Sequence, residues 1–190
     1  MPEAPAGKSP ASWSRIARRI RVPLGFVLAA FYLSRARPTW ASLLIGTAIA
    51  SLGILIRAVA SGHVEKNRVL TTSGPYAYVR NPLYFGSIVI GIGFAMAARD
   101  VWVAIAIIML FVVIYLPVIR SEEAFLRSQF PHYEEYARRV PSLLPHTLLF
   151  RQIMSGFSRK LYFSHREYNS LLGAVAILAA LVVKILWSSG

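Results

Sequence analysis

The sequence contains no cysteine, which excludes disulfides, thiolate metal ligands and a cysteine nucleophile. Histidine is also scarce. The four histidines, at positions 63, 132, 146 and 165, match no spacing of known zinc sites, and no His-Glu-x-x-His motif occurs. A Gly-x-Ser-x-Gly nucleophile turn and a glycine-rich phosphate loop are missing too. These patterns give no support for a metal centre or for a hydrolase.

Charge is scarce for a chain of 190 residues. Only 15% of the residues are charged and 56% are hydrophobic, and the mean hydropathy is +0.53. A soluble domain of this length would carry much more charge on its surface. We therefore predict an all-α fold, a polytopic bundle of membrane helices. One domain over residues 22–190 is expected, because no polar stretch is long enough to build a second core.

Acidic residues are the rarer charged class, with eight against 21 lysines and arginines, so the net charge is +13. In a soluble protein this excess would suggest nucleic acid as a partner. Here the basic residues flank apolar runs, where they suit lipid headgroups, and they form no separate basic domain. The expected partners are therefore membrane lipids and not nucleic acid.

Five apolar runs are long enough, or nearly so, to cross a bilayer, which takes roughly 20 helical residues. The first run has 13 residues, so a re-entrant or interfacial placement is its alternative. The residues before it, 1–21, are rich in proline, alanine, serine and arginine and are predicted to form a disordered basic tail. The runs are 22–34, 40–56, 83–98, 101–119 and 169–183.

The distribution of lysine and arginine predicts the orientation of these spans. With the N-terminus inside, 17 of these residues fall on one side and three on the other, and Lys184 lies in the last run. Basic residues accumulate on the cytoplasmic side of membrane proteins. The predicted topology is five spans with a cytoplasmic N-terminus. If the first run did not span, the bias would weaken.

The third and fourth runs are separated only by Arg99 and Asp100, so they are predicted to form an antiparallel helical hairpin. Pro82 and Glu122 then lie together at its open, cytoplasmic end. The start of a helix offers free N–H groups to an anion, and nearby tyrosines attract cations. A pocket of this kind suits S-adenosylmethionine, a zwitterion with an additional sulfonium. The alternative is an ordinary aromatic belt, with Glu122 paired to Arg120.

The same region resembles the isoprenylcysteine carboxyl methyltransferase and phospholipid methyltransferase superfamily. The resemblance covers residues 62–145, under half of the chain. Its motifs are Gly-Pro-Tyr at 74–76, Arg-Asn-Pro-Leu-Tyr at 80–84, Glu-Glu at 122–123, and Phe-Pro-His-Tyr-Glu-Glu-Tyr at 130–136. Two positions depart from the pattern: Asn81 replaces the usual histidine, and Val118 replaces a substrate-side arginine of the eukaryotic carboxyl methyltransferases.

The resemblance implies a membrane methyltransferase that uses S-adenosylmethionine and acts on a lipophilic acceptor. A carboxylate acceptor would be neutralised by Arg120, whereas an amine acceptor would lose a proton to a carboxylate such as Glu123. A phospholipid N-methyltransferase and a non-catalytic protein that keeps the scaffold are the alternatives. The implied cofactor-binding residues are Arg68, Val69, Leu70, Gly74, Tyr76, Asn81, Pro82, Leu83, Tyr84 and Glu122.

Overall fold

The computed structural model describes residues 12–65, 69–145, 153 and 156–188. Within these ranges every regular element is a helix, which confirms the all-α prediction. A 3-10 turn covers Gly74–Ala77, and a π-helical turn covers Phe111–Tyr115 between α4 and α5. The α-helices are α1 Ser12–Arg35, α2 Trp40–Ser61, α3 Pro82–Ala98, α4 Val101–Leu110, α5 Leu116–Gln129, α6 Tyr133–Arg139, α7 Arg159–Ser164 and α8 Tyr168–Ser188.

Three helices are long and apolar enough to cross a membrane: Trp40–Ser61, Val101–Gln129 and Tyr168–Ser188. Two shorter apolar helices, Pro23–Arg35 and Pro82–Ala98, occupy the positions of the first and third runs. All five apolar runs are therefore helical. The count of five spans and the orientation of the bundle stay predictions.

Helix α1 begins earlier than the sequence suggested. Residues 12–21, which we expected to belong to a disordered tail, form its first turns. This segment contains four arginines and no proline or glycine, and arginine is a good helix former. The prediction of disorder relied on the composition of the whole tail, which is dominated by the residues before Ser12.

Helices α2 and α3 are in backbone contact along a seam of small residues. A Cβ atom added to Gly46 would lie 2.5 Å from the carbonyl oxygen of Gly93, and one added to Gly53 would lie 2.7 Å from that of Gly86. Side chains larger than hydrogen have no room at these crossings. Small residues three or four positions apart allow this close approach in membrane helices, where no water drives association.

One end of the bundle is closed by a core that five helices share. Its buried residues are Tyr32, Ala36, Leu43, Ala97, Ala98, Val103, Leu181 and Ile185. Polar contacts fix the same end. Arg35 pairs with Asp100 at 3.0 Å, and the ammonium of Lys184 donates to the carbonyl of Leu33 at 2.6 Å. Lys184 therefore caps α1, and does not simply extend to the lipid headgroups.

The fourth predicted span is one helical rod in which α4 continues through the π-helical turn into α5. Pro117 explains the change of geometry, because it has no N–H for the usual bond to the residue four positions earlier. From the closed end α3 and α4 diverge. This divergence opens a cavity within the predicted hairpin.

Candidate functional site

A cavity of about 2390 Å³ lies between α3, the α4–α5 rod, α1 and the start of α8. Along α3 its walls extend from Pro82 to Met96, roughly 20 Å at 1.5 Å per residue. Apolar residues line most of this length, and the charged side chains gather near the start of α3. The cavity is larger than the 300–1,000 Å³ of common ligand pockets. It therefore has room for two ligands, one polar and one apolar.

At the polar end Glu122 lies near the start of α3, where the hairpin argument placed it beside Pro82. Tyr84, in the first turn of α3, donates its hydroxyl hydrogen to Oε2 of Glu122 on α5 at 3.0 Å. Both residues line the cavity and both are half-buried. The Tyr84 ring meets the edge of Tyr115, with centroids 5.7 Å apart, and Tyr115 lies in the π-helical turn. Glu122 is thus held at the cavity wall by Tyr84, and no ion pair between Glu122 and Arg120 is found.

Glu123 belongs to a separate cluster beside the cavity. Its Oε1 accepts hydrogen bonds from the Asn81 amide at 2.7 Å and from the Ser142 hydroxyl at 2.6 Å. Its Oε2 pairs with Arg80 at 3.2 Å. These contacts connect α5 to the start of α3 and to the segment after α6. Glu123 does not line the cavity, and in this geometry its carboxylate stabilises the structure beside it.

Arg80 connects this cluster to the cavity, which its side chain lines. One guanidinium nitrogen also donates to the hydroxyl of Tyr133 at 3.2 Å, and the ring of Tyr133 lies 6.0 Å below the guanidinium carbon. The Nε–H of Arg80 is buried and has no hydrogen-bond partner among the described residues. A buried donor without a partner is costly.

Tyr76 lies in the 3-10 turn, where it is 8% exposed and lines the cavity. Burial raises the pKa of its phenol well above the usual value, with smaller contributions from Tyr136 and Glu122, so the hydroxyl stays protonated. The Tyr136 hydroxyl donates to the Tyr76 backbone carbonyl at 2.7 Å, which fixes the turn. Gly74 starts this turn with φ +57°, and a Cβ there would lie 2.4 Å from the ring of His63.

Most of the predicted cofactor-binding residues meet at this cavity. Arg120 lines it too and is exposed. Gly74 supports the site without lining it, and Arg68 lies outside the described residues. The predicted residues on the wall are Val69, Leu70, Tyr76, Asn81, Pro82, Leu83, Tyr84 and Glu122.

Sequence reasoning missed a second ion pair at the cavity wall. Arg57 of α2 makes a two-pronged contact with Glu167, with its NH2 at 2.8 Å from Oε1 and its Nε at 3.1 Å from Oε2. Its remaining nitrogen donates to Ser87 at 2.6 Å. The pair ties α2, α3 and the start of α8 together. No local pattern signals it, because the partners are 110 residues apart.

Comparison with known proteins places this site in a family. A sequence profile described as phospholipid methyltransferase matches residues 39–132, about half of the chain. The Schizosaccharomyces pombe protein-S-isoprenylcysteine O-methyltransferase is 30% identical over 100 residues, which cover 52% of this chain and 42% of that enzyme. The chain belongs to the phospholipid methyltransferase superfamily.

Two bacterial relatives of this superfamily member carry names from metal resistance. The cobalt-zinc-cadmium resistance protein CzcN of Cupriavidus metallidurans is 37% identical over 163 residues, covering 79% of this chain and 74% of that protein. The nickel-cobalt-cadmium resistance protein NccN of Alcaligenes xylosoxydans xylosoxydans is 34% identical over 140 residues, covering 69% and 65%. No solved structure matches the chain.

The polar end of the cavity fits the cofactor that a methyltransferase of this superfamily needs. S-adenosylmethionine has a carboxylate, an ammonium, a sulfonium and an adenosine. Arg80 places a guanidinium at the cavity wall for an anion, and Glu122 places a carboxylate there for a cation. Among the described residues no group of three metal-ligating side chains is found.

Proposed function

We propose that this membrane protein transfers a methyl group from S-adenosylmethionine to a lipophilic acceptor that enters its cavity from the bilayer. The observation that carries the proposal is one continuous cavity that is polar at one end and apolar along the rest. Its polar end contains the hydrogen-bonded pair of Tyr84 and Glu122, and its remaining length is apolar.

At the polar end, Glu122 attracts the cationic part of the cofactor and Tyr84 fixes the direction of that carboxylate. Arg80, whose side chain lines the same wall, meets the anionic part through its guanidinium charge. Tyr76 and Tyr84 add aromatic surface to the same wall, and a cation over an aromatic ring gains roughly 0.5–2 kcal/mol. The bound cofactor supplies an electrophilic methyl group on its sulfonium.

The apolar length of the cavity suits a hydrocarbon chain of the acceptor. Ile92, Ile108 and Val112 line it and are 51%, 60% and 47% exposed. Apolar side chains with this exposure suit a side of the cavity that a bilayer covers. An acceptor entering there would present its polar end to the region of Glu122, and the protein would act by positioning.

In the transfer, a lone pair of the acceptor forms the new bond to carbon, and the pair of the broken S–C bond goes to sulfur. A carboxylate acceptor needs no proton transfer, and Arg120, which lines the cavity, balances its charge. An amine acceptor gives up one proton afterwards. Glu122 is the carboxylate that we assign to this proton, because Glu123 is occupied by Arg80, Asn81 and Ser142.

Replacement of Glu122 tests the proposal. Glu122→Gln keeps the shape and the acceptor for Tyr84 but removes the charge. We expect it to weaken S-adenosylmethionine binding by about 1.5–3 kcal/mol, roughly tenfold to over a hundredfold, and to abolish methyl transfer. Glu134→Gln is the matched control, since Glu134 is exposed on α6 and pairs only with the exposed Arg127.

The measurements are calorimetric titration of purified protein in detergent, and transfer of labelled methyl groups to a membrane lipid extract. Equal effects of the two substitutions would refute the role of Glu122. If folded wild-type protein shows no binding of S-adenosylmethionine at millimolar concentration, the result would instead support the alternative, a non-catalytic scaffold. The labelled product separates acceptors, because base cleaves methyl esters and leaves methylated amines intact.

A further inference from the structure

A second, smaller cavity of about 350 Å³ lies at the closed end of the bundle, far from the candidate cofactor site. Three cationic side chains line it: Arg35 and Arg37 after α1, and Lys184 from α8. Among the described residues no acidic side chain lines it. Asp100 beside it forms an ion pair with Arg35 at 3.0 Å and accepts the backbone N–H groups of Trp102 and Val103, so in the part of the chain that the structure describes the cavity has an excess of positive charge.

The donors around this cavity are incompletely used. The Nε–H of Arg35 is buried without a hydrogen-bond partner, although the NH2 group of the same side chain pairs with Asp100. Arg37 is held by its backbone, whose N–H donates to the carbonyl of Ala98 at 2.8 Å, and its exposed side chain has no partner among the described residues. Lys184 donates to two carbonyls of α1. Cationic side chains that line one cavity and retain hydrogen-bond donors without acceptors fit an oxyanion.

Three tryptophans place this cavity at the level of lipid headgroups. Trp40 begins α2, Trp102 lies in the first turn of α4 and Trp187 lies at the end of α8, so all three are at the closed end. They are 56%, 58% and 89% exposed. Exposed tryptophan collects where hydrocarbon meets headgroups. A phosphate at that depth is available from any phospholipid.

We propose that the cavity formed by Arg35, Arg37 and Lys184 binds a phosphate group, and that a phospholipid headgroup of the adjacent leaflet supplies it. The phosphate oxygens accept from the guanidinium groups of Arg35 and Arg37, which line the cavity, while the acyl chains run along the apolar outside of α1 and α8. This site is separate from the cavity of Glu122 and does not depend on methyltransferase activity.

Two variants probe the site. Arg37→Gln removes an exposed charge that makes no side-chain contact, so the fold is kept. Arg35→Lys keeps the charge beside Asp100 but deletes the buried Nε–H. Arg99→Gln is the control, since it removes one exposed positive charge at the same end but outside the cavity. Native mass spectrometry of the full chain in neutral detergent counts bound phosphatidylglycerol, and thermal unfolding at constant ionic strength reports binding of inorganic phosphate.

We expect Arg37→Gln and Arg35→Lys to need roughly tenfold more phosphatidylglycerol for half occupancy, and Arg99→Gln to match the wild type. If Arg37→Gln weakens binding of phosphatidylglycerol but not of inorganic phosphate, the phospholipid is supported as the source. If Arg37→Gln weakens binding of inorganic phosphate alone, the result supports a phosphate site that is filled from solution. Equal behaviour of Arg37→Gln and Arg99→Gln with both probes would overturn the site, because surface charge alone would then explain binding.

Discussion

Replacing Gly93 by alanine puts a methyl group where α2 and α3 are in backbone contact. The new Cβ would lie 2.6 Å from both the backbone nitrogen of Ala50 and the backbone oxygen of Gly46, and 2.9 Å from the Cβ of Ala50. None of these atoms is the end of a flexible side chain. The contact can be relieved only by moving one helix away from the other.

The geometry sets the size of the effect. Ordinary contact begins at about 3.4 Å, so the helices must separate by about 0.8 Å at this crossing. Overpacking of this kind costs about 1–3 kcal/mol, while alanine gains up to about 1 kcal/mol over glycine in helix propensity. We expect Gly93→Ala to lower the free energy of unfolding by about 1–2 kcal/mol.

Gly173 on α8 is the matched control, because a Cβ added there meets nothing within 4 Å. Gly173→Ala should therefore show the propensity gain alone and be slightly more stable than the wild type. Unfolding in detergent by increasing fractions of sodium dodecyl sulfate, followed by circular dichroism, measures both variants. A Gly93→Ala protein as stable as Gly173→Ala would refute a backbone contact between α2 and α3.

Two further predictions concern the ion pair at the cavity wall and the topology. Arg57→Met should destabilise the protein by about 3–5 kcal/mol in the same assay, because it leaves the largely buried Glu167 without a partner, and adding Glu167→Leu should restore much of the loss. Single cysteines at positions 99 and 139, tested with an impermeant reagent on intact cells, should label at 99 and be protected at 139. The reverse pattern would contradict the cytoplasmic orientation of the site.

That Glu122 lies near the start of α3 could be predicted from the hairpin alone. A two-residue turn at Arg99 and Asp100 makes α3 and the α4–α5 rod run back along each other, so the start of α3 and the C-terminal part of the rod lie at the same end. Glu122 is seven residues farther from the turn than Tyr84, and the Tyr84 hydroxyl still reaches its carboxylate. The different roles of Glu122 and Glu123 could not be predicted. These roles depend on Ser142, which lies beyond α6, and on the π-helical turn before Pro117.

The close contact between α2 and α3 has a signal in the sequence, which is the spacing of small residues. Gly46, Ala50 and Gly53 recur at spacings of four and three, and Gly86, Gly93 and Ala97 recur at spacings of seven and four on the next helix. Such spacing places small residues on one helix face. By contrast, Arg57 was counted only as a topology marker, because a single sequence does not reveal a partner 110 residues away.

Helix α3 and the α4–α5 rod are packed together at the closed end of the bundle and separate toward the open end, so a small rotation at the closed end becomes a larger displacement at the open end. The packed core around Ala97 and Val103 lies roughly 22 Å from Pro82 at 1.5 Å per residue. A rotation of about 5° at the closed end, which changes the packing there very little, moves the open ends of α3 and the rod apart by about 2 Å. Hydrogen bonds from Tyr84 to Glu122 and from Asn81 to Glu123 hold those open ends, together with the ion pair of Arg80 and Glu123. Under the proposed function, an acceptor that needs a wider cavity would have to break these contacts at the open end, while the core at the closed end would stay packed.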